Sequence, residues 1–202
     1  MNEAERLESV WGGDFGDRYT NRNSSSFNLR KPFWQKLMRT LKPARVLEVG
    51  CNSGGNLKWI SPLAEAFGVD VNETAIRMAK IAWPELNLLR AIGRDLPFVD
   101  RYFDLTFTCG VLIHQPMESL LEVMRELVRT SGRYVLCMEY YAPKREEVPY
   151  RNLDGALFRD DYGKLYQSKF KLKLLKSGKL GFGDGFDDIT WWLLERKRCA
   201  KP

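Results

Sequence analysis

Between residues 44 and 140 the chain switches repeatedly between two rhythms of apolar and polar positions. Short runs rich in Val, Leu and Phe predict strands at 44–49, 66–70, 86–91, 103–109 and 133–140. Apolar residues recurring every three or four positions predict helices from about 55, over 73–82 and over 117–129. Ahead of these, Pro32 can open a helix in which Phe33, Leu37 and Leu41 share one face, widened by Trp34 and Met38. The residues before it form a polar segment. Strands alternating with helices imply an α/β fold: a mainly parallel sheet with helices on both faces. The C-terminal part breaks the rhythm, because "FKLKLLKSG" and "DDITWWLLERK" are two strand-like runs joined by a glycine-rich stretch, which predicts an antiparallel strand pair. In "KFKLKL" strict alternation puts Lys169, Lys171 and Lys173 on one face of a strand and Phe170, Leu172 and Leu174 on the other. Trp191 and Trp192, adjacent in the last strand, point to opposite faces, so at least one enters a core.

Length changes this picture little: 202 residues suit one domain spanning 1–202 with a sizeable core. No apolar run is long enough to span a bilayer, and the first thirty residues are too polar and acidic for a signal peptide, so a cytoplasmic protein without membrane partners is expected. Cys51, Cys109, Cys137 and Cys199 lie far apart, and with His114 the single histidine no zinc-ligand spacing can be assembled; free thiols and no metal are expected. The net charge of +6 sits in the C-terminal part, where residues 164–202 hold 10 basic against 4 acidic side chains. A solvated strand face whose lysines deter edge pairing accounts for this. A nucleic-acid surface is the alternative, but no aromatic interleaves the lysines to stack bases.

The candidate chemistry begins at "VLEVGCNSGGNLKWI", residues 46–60, where a strand runs through a glycine-containing turn into a helix. Such a junction can hold NAD, a nucleoside triphosphate or S-adenosylmethionine (SAM). A P-loop is excluded by the lack of a Lys-Ser or Lys-Thr pair after the glycines. The dinucleotide pattern G-x-G-x-x-G is also poorly met: Gly50 and Gly54 are present, but Asn52 fills the middle place and the third glycine falls on Gly55. Asn tolerates left-handed backbone, so the turn survives while the pyrophosphate argument weakens. What fits is Glu48-x-Gly50-x-x-x-Gly54 followed by Asp70 at the end of the next strand, where a carboxylate can accept hydrogen bonds from two ribose hydroxyls.

These motifs, joined to "LPFVDRYFDLTFTCGVLIHQP", resemble the class I SAM-dependent methyltransferases, whose fold is Rossmann-like. The stretches "GDRYTNRNS", "GVLIHQPMESL", "EYYAPKREEVPYRN", "GALFRDDYGKLY" and "DDITWWLLERK" further resemble the pseudaminic acid biosynthesis-associated methylases over roughly residues 11–197. That resemblance implies SAM as cofactor and a small sugar-like or polar acceptor, a nonulosonate or its precursor. It implies that Gly50, Cys51, Asn52 and Gly54 lie against the methionine part of SAM, that Asp70 and Val71 hold ribose and adenine, and that Gly93, Arg94 and Asp95 edge the adenine pocket. Tyr19, Arg22 and Asn23 would fold over the site toward the SAM carboxylate, as a cap formed by residues 1–42. Glu48, Asn56 and Cys109 complete the expected cofactor set. The polar pair Asn52 and Ser53 departs from a more glycine-rich pattern.

Methyl transfer is a displacement at a sulfonium carbon, so alignment of nucleophile and methyl carries most of the rate and a base is needed only for a protonated acceptor. Open α/β sheets bind ligands at the carboxyl ends of their strands. The catalytic candidates there are His114, Glu139 and Tyr141, with His114 favoured because an imidazole titrates near neutrality. Tyr140, Tyr150 and Arg151 are candidates for acceptor binding, the last two on a long insertion over the acceptor site, residues 143–168, where Arg151 can grip a carboxylate. Each has a plainer reading: a turn-ordering histidine, a surface carboxylate, core aromatics, a surface arginine. Two other functions remain open, a nucleic-acid methyltransferase and a protein that uses SAM without moving its methyl. The oligomeric state and the acceptor atom are not encoded in these motifs.

Overall fold

The computed structural model describes residues 1–23 and 27–197. Ser24, Ser25, Ser26 and Cys199 lie outside the described residues. Five parallel strands form the body of the sheet: β1 (Arg45–Val49), β2 (Glu65–Asp70), β3 (Asn87–Arg90), β4 (Phe103–Cys109) and β5 (Ser131–Glu139). A short ladder, β6 (Glu146–Glu147) with β7 (Phe158–Arg159), stands apart in the connection after β5. β8 (Lys173–Leu180) and β9 (Ile189–Glu195) are the expected antiparallel pair, and β9 also pairs antiparallel with β5. The sheet order is β3-β2-β1-β4-β5-β9-β8, so the chain reverses its direction of travel between β1 and β4.

The helices are α1 (Glu3–Gly12), α2 (Asp14–Arg22), α3 (Lys31–Leu41), α4 (Leu57–Ile60), α5 (Glu73–Ala82), α6 (Met117–Thr130) and α7 (Tyr162–Phe170). Successive strand residues supply two cores on opposite faces. Val46, Leu105, Phe107 and Leu136 pack with Trp34, Leu37 and Met38 of α3, whereas Leu47, Val49, Val135 and Cys137 pack with Leu120, Val123 and Leu127 of α6. Phe103, Leu105, Thr106, Phe107 and Thr108 of β4 are all fully buried, as befits the middle of a parallel sheet covered on both sides. Trp192 is buried in the α6-side core while Trp191 packs on the opposite one, so both indoles find cover. Among the described residues no helix is long and apolar enough to cross a membrane, and Cys51, Cys109 and Cys137 are free thiols.

Two expectations are corrected. The polar N-terminal segment is helical: the Asn2 side chain accepts from Glu5 N and the Glu5 carboxylate accepts from Asn2 N, a capping box that starts α1. The lysine strand does not form. Asp161 caps α7 by accepting from Lys164 N, Tyr162 and Tyr166 bury one face of that helix, and Lys171 ends it in left-handed conformation at φ 57°. Lys169 is therefore on a helix end, Lys171 in a cap and Lys173 on a strand; burial of two tyrosines at helical spacing overrides the local alternation.

Candidate functional site

After β1 the chain turns at Gly50, whose φ is +76° and where a Cβ would sit 2.3 Å from Val111 Cγ2, so only glycine fits. Gly50 N and Cys51 N both donate to Val69 O, at 2.8 and 3.0 Å, which bends the loop across the end of β2. Asn52 takes a left-handed φ of 45°. Its amide donates to Asp70 Oδ2 at 2.8 Å, and Asn72 N donates to Oδ1 at 2.9 Å. Burial raises the Asp70 pKa, and the amides of Asn72, Asn52 and Val71 oppose that rise. The two Asp70 oxygens together offer about four acceptor sites, more than these amides occupy.

This loop forms one wall of a cavity of about 400 Å³ at the carboxyl ends of the strands, beside the reversal between β1 and β4. Deep in that wall Glu48 Oε1 accepts from Asn56 Nδ2 at 2.6 Å, and Asn56 Oδ1 accepts from Arg30 Nη1 at 3.0 Å and Trp34 Nε1 at 3.2 Å. Arg30 is held by Gly185 O at 2.7 Å and lies over the Phe186 ring. Burial pushes the Glu48 carboxyl up to about 8, against the hydrogen bond from Asn56 and the Arg30 charge. Glu48 Oε2, Asn52 Oδ1 and Trp11 Nε1 are buried without hydrogen-bond partners, and all three residues line this cavity. Buried polar atoms left unpaired cost stability, so their convergence on one cavity marks a place for a polar ligand.

The opposite wall comes from the N-terminal helices and the connection between β5 and α7. His114 lies in a short turn after β4, buried, with its ring 4.4 Å from Trp11 and 5.1 Å from Tyr150. His114 Nδ1 lies 2.6 Å from Ala156 O. A carbonyl can only accept, so Nδ1 carries the hydrogen and Nε2 the lone pair. Burial lowers the ring pKa to about 4, only partly offset by Ala156. The imidazole is thus neutral at pH 7: it accepts hydrogen bonds well but is a weaker base than an unperturbed histidine. Burial above all raises the Tyr19 phenol pKa, and Tyr19, Tyr140, Tyr150, Cys109 and Asp187 all line the cavity. Arg151 and Asn152 both have left-handed backbone, φ 49° and 59°, in the two-residue turn closed by Leu153 N to Tyr150 O at 2.8 Å. The Arg151 guanidinium lies 5.7 Å from the Tyr150 ring centroid.

Residues 46–132 match the methyltransferase domain family. That stretch is a methyltransferase domain, and the sheet around it has the Rossmann-like methyltransferase fold. Its architecture is similar to that of magnesium protoporphyrin IX methyltransferase from Synechocystis PCC 6803 with bound SAM, at 14% identity and TM-score 0.71 over 98% of each chain. It is also similar to Burkholderia thailandensis 1,6-didemethyltoxoflavin-N1-methyltransferase with bound 1,6-didemethyltoxoflavin and S-adenosylhomocysteine (SAH), at 10% identity and TM-score 0.74 over 98% of this chain and 92% of that one. The [4+2]-cyclase SpnF shares the fold at 13% identity and TM-score 0.63, covering 82% and 80%. No curated relative matches the chain.

Of the residues singled out in the sequence, the methyltransferase fold brings Tyr19, Asn23, Glu48, Gly50, Cys51, Asn52, Asn56, Asp70, Val71, Gly93, Cys109, His114, Tyr140, Tyr150 and Arg151 to the one cavity. Six others do not line it. Gly54, at φ +79°, turns toward Trp83 and Leu86 and serves the turn. Arg22 is exposed in the last turn of α2, and Asp95 is exposed. Arg94 grips Glu8 with Nε and Nη2 at 2.7 and 3.2 Å, tying α1 to the loop after β3. Tyr141 is 45% exposed and bridges to Asp160. Glu139 is fully buried beneath the turn that carries His114. The sequence reading missed Trp11, Arg30, Asn72 and Asp187, which also line the cavity. Trp11 had a signal, since Trp11, Phe15 and Tyr19 follow at intervals of four in a polar segment and meet edge to face at 5.2 and 5.3 Å. Arg30 had none, because its partner Gly185 is 155 positions away.

Proposed function

We propose that this methyltransferase acts on a small polar metabolite bearing an anionic group, a nonulosonate sugar or its precursor. SAM supplies an electrophilic methyl on a sulfonium centre. The residues present suit it: Asp70 offers acceptors for ribose hydroxyls, Val71 and Gly93 edge an adenine, and Glu48 Oε2, unpaired in the wall, offers an acceptor for an ammonium group. Arg30 and Asn56, linked to Glu48, suit the carboxylate end. The observation that carries the acceptor assignment is that this wall and the His114–Tyr150–Arg151 wall share one cavity. Arg151 is exposed at the rim of the cavity beside Tyr150, on left-handed backbone. Its planar fork suits a carboxylate. His114 Nε2 can accept a hydrogen bond from an acceptor hydroxyl and orient its lone pair, with Tyr140 and Tyr150 as further polar contacts. The connection 143–168 covers this side.

Lys169, Lys171 and Lys173 do not share one strand face, so a nucleic-acid acceptor keeps only the basic excess of residues 164–202 in its favour. The deciding experiment is incubation with SAM and candidate nonulosonate precursors, followed by mass spectrometry of product and by-product. A methylated product with SAH supports the proposal. Methylthioadenosine indicates use of the aminobutyl carbon, and no turnover of any acidic sugar removes that acceptor class.

A further inference from the structure

The turn from Val111 to His114 is pinned from three sides. The fully buried Glu139, at the end of β5, accepts from Val111 N and Ile113 N at 3.3 Å each, one amide to each carboxylate oxygen. The Tyr162 hydroxyl of α7 stands 3.4 Å from Leu112 O and 3.1 Å from Phe158 O and shares its one proton between them. Ala156 O holds the His114 ring. Of these anchors only Glu139 carries a carboxyl group, and it does so without lining the cavity.

We propose that Glu139 is a positioning residue whose ionised carboxylate clamps the 111–114 turn and so sets where His114 stands against a bound acceptor. The role rests on the methyltransferase reading for its purpose but not for its test. An ionised carboxylate accepts both amides; protonation leaves one oxygen a donor facing an N–H, and that hydrogen bond is lost. Burial raises the Glu139 pKa to about 7, opposed first by the Thr108 hydroxyl of β4 and then by the amides of Leu112, Val111 and Ile113 in the turn. The clamp therefore tightens as pH rises through neutrality and loosens below it. The neighbours that face Glu139 do not titrate there. Burial raises the Cys109 and Tyr140 pKa values to about 12 and pushes Cys137, and Tyr162 and Tyr166 of α7, above their ordinary ranges. Beyond Tyr162, Arg145 and Asp160 are paired at 3.6 Å.

The test is an NMR pH titration of uniformly labelled protein, alone and with SAH as the cofactor-side probe. Expected is a common midpoint near 7 for the Val111 and Ile113 amides and the Glu139 carboxyl carbon, with the His114 ring signals shifting in step. In Glu139→Gln the amide titration should vanish while SAH affinity stays within a few-fold. Flat amide signals between pH 6 and 8 in the wild type, or an unchanged titration in Glu139→Gln, overturns the proposal. Should Glu139→Gln fail to fold, the wild-type titration decides alone, because a carboxyl carbon that moves without the two amides contradicts the clamp. Failure of SAH to bind would count against the cofactor reading and leave this titration readable.

Discussion

Glu48 and Asp70 reach the cavity from the ends of adjacent parallel strands, and two backbone amides fix Asp70 at 2.8 and 2.9 Å. Arg151 and Tyr150 reach the same cavity from a left-handed turn in a long connection, and Trp11 from a helix tied down by Glu8–Arg94 and by Arg6 donating to Asp154 O at 2.8 Å. The first wall is set by sheet register, which the fold supplies whatever the acceptor. The second is assembled from segments remote in sequence, joined by side chains, and can differ between proteins that share the sheet. Similar folds that include a protoporphyrin methyltransferase, a toxoflavin-precursor methyltransferase and a cyclase fit that division.

Mutations should separate the two walls. The largest effect belongs to His114→Ala: turnover should fall on the order of 10²-fold, the low end for an acid–base residue because its pKa of about 4 makes it a weak base. SAH affinity should stay within a few-fold, as calorimetry can check. Loss of SAH binding would move the histidine to the cofactor wall.

Next comes Glu48. Its pKa in the free protein is raised from 4.5 to about 8, so an ammonium bound beside it must displace a proton. SAH affinity should rise with pH toward about 8, by up to roughly tenfold per pH unit, and Glu48→Gln should flatten that slope. Stability gives the matching sign. A carboxyl with a raised folded-state pKa contributes stability that is full below its unfolded value and lost as pH rises through the folded one, and Glu139 adds the same trend through about 7. His114, lowered from 6.5 to about 4, works oppositely, contributing stability only as pH rises across that interval. The ligand-free melting temperature should therefore fall between pH 6.5 and 8, a decline that calorimetric scans would detect and that SAH should reduce.

Smaller effects are expected at Arg151, with two signs. Arg151→Lys should raise the acceptor KM several-fold, because the planar fork is lost. Arg151→Gly should do the same while stabilising the protein by about 0.5–1 kcal/mol through relief of the left-handed residue, readable by urea unfolding. The smallest effect is none: replacing Lys169, Lys171 and Lys173 with glutamine should leave SAH affinity and turnover unchanged.

Legibility in the sequence divides along the same line. The strands from β1 to β5 and helices α3, α5 and α6 stand within a few residues of their predicted places because burial on a regular face imprints a local period. Glu48, Gly50 and Asp70 were legible because turn chemistry is local too. The α1 and α2 pair was not, since few of its residues are buried and its start signal is the modest Asn2–Glu5 box. α7 was masked by alternation that happens to continue past its cap at Lys171. His114 was found at the end of β4, but its low pKa arises from burial by Trp11 and the connection after β5, which no local pattern records. Glu139 was read as catalytic because strand position does not say which face a terminal side chain takes.

The central claim, SAM on the strand-end wall and the acceptor on the covering wall, is tested most directly by calorimetric titration of SAH into wild type, Asp70→Ala and Arg151→Lys under one condition. The account predicts a single site in the wild type. Asp70→Ala should weaken it by on the order of 1.5–3 kcal/mol, the value of charged hydrogen bonds to the ribose, and Arg151→Lys should leave it unchanged. Binding of NAD in place of SAH, or an equal loss in both variants, would contradict it.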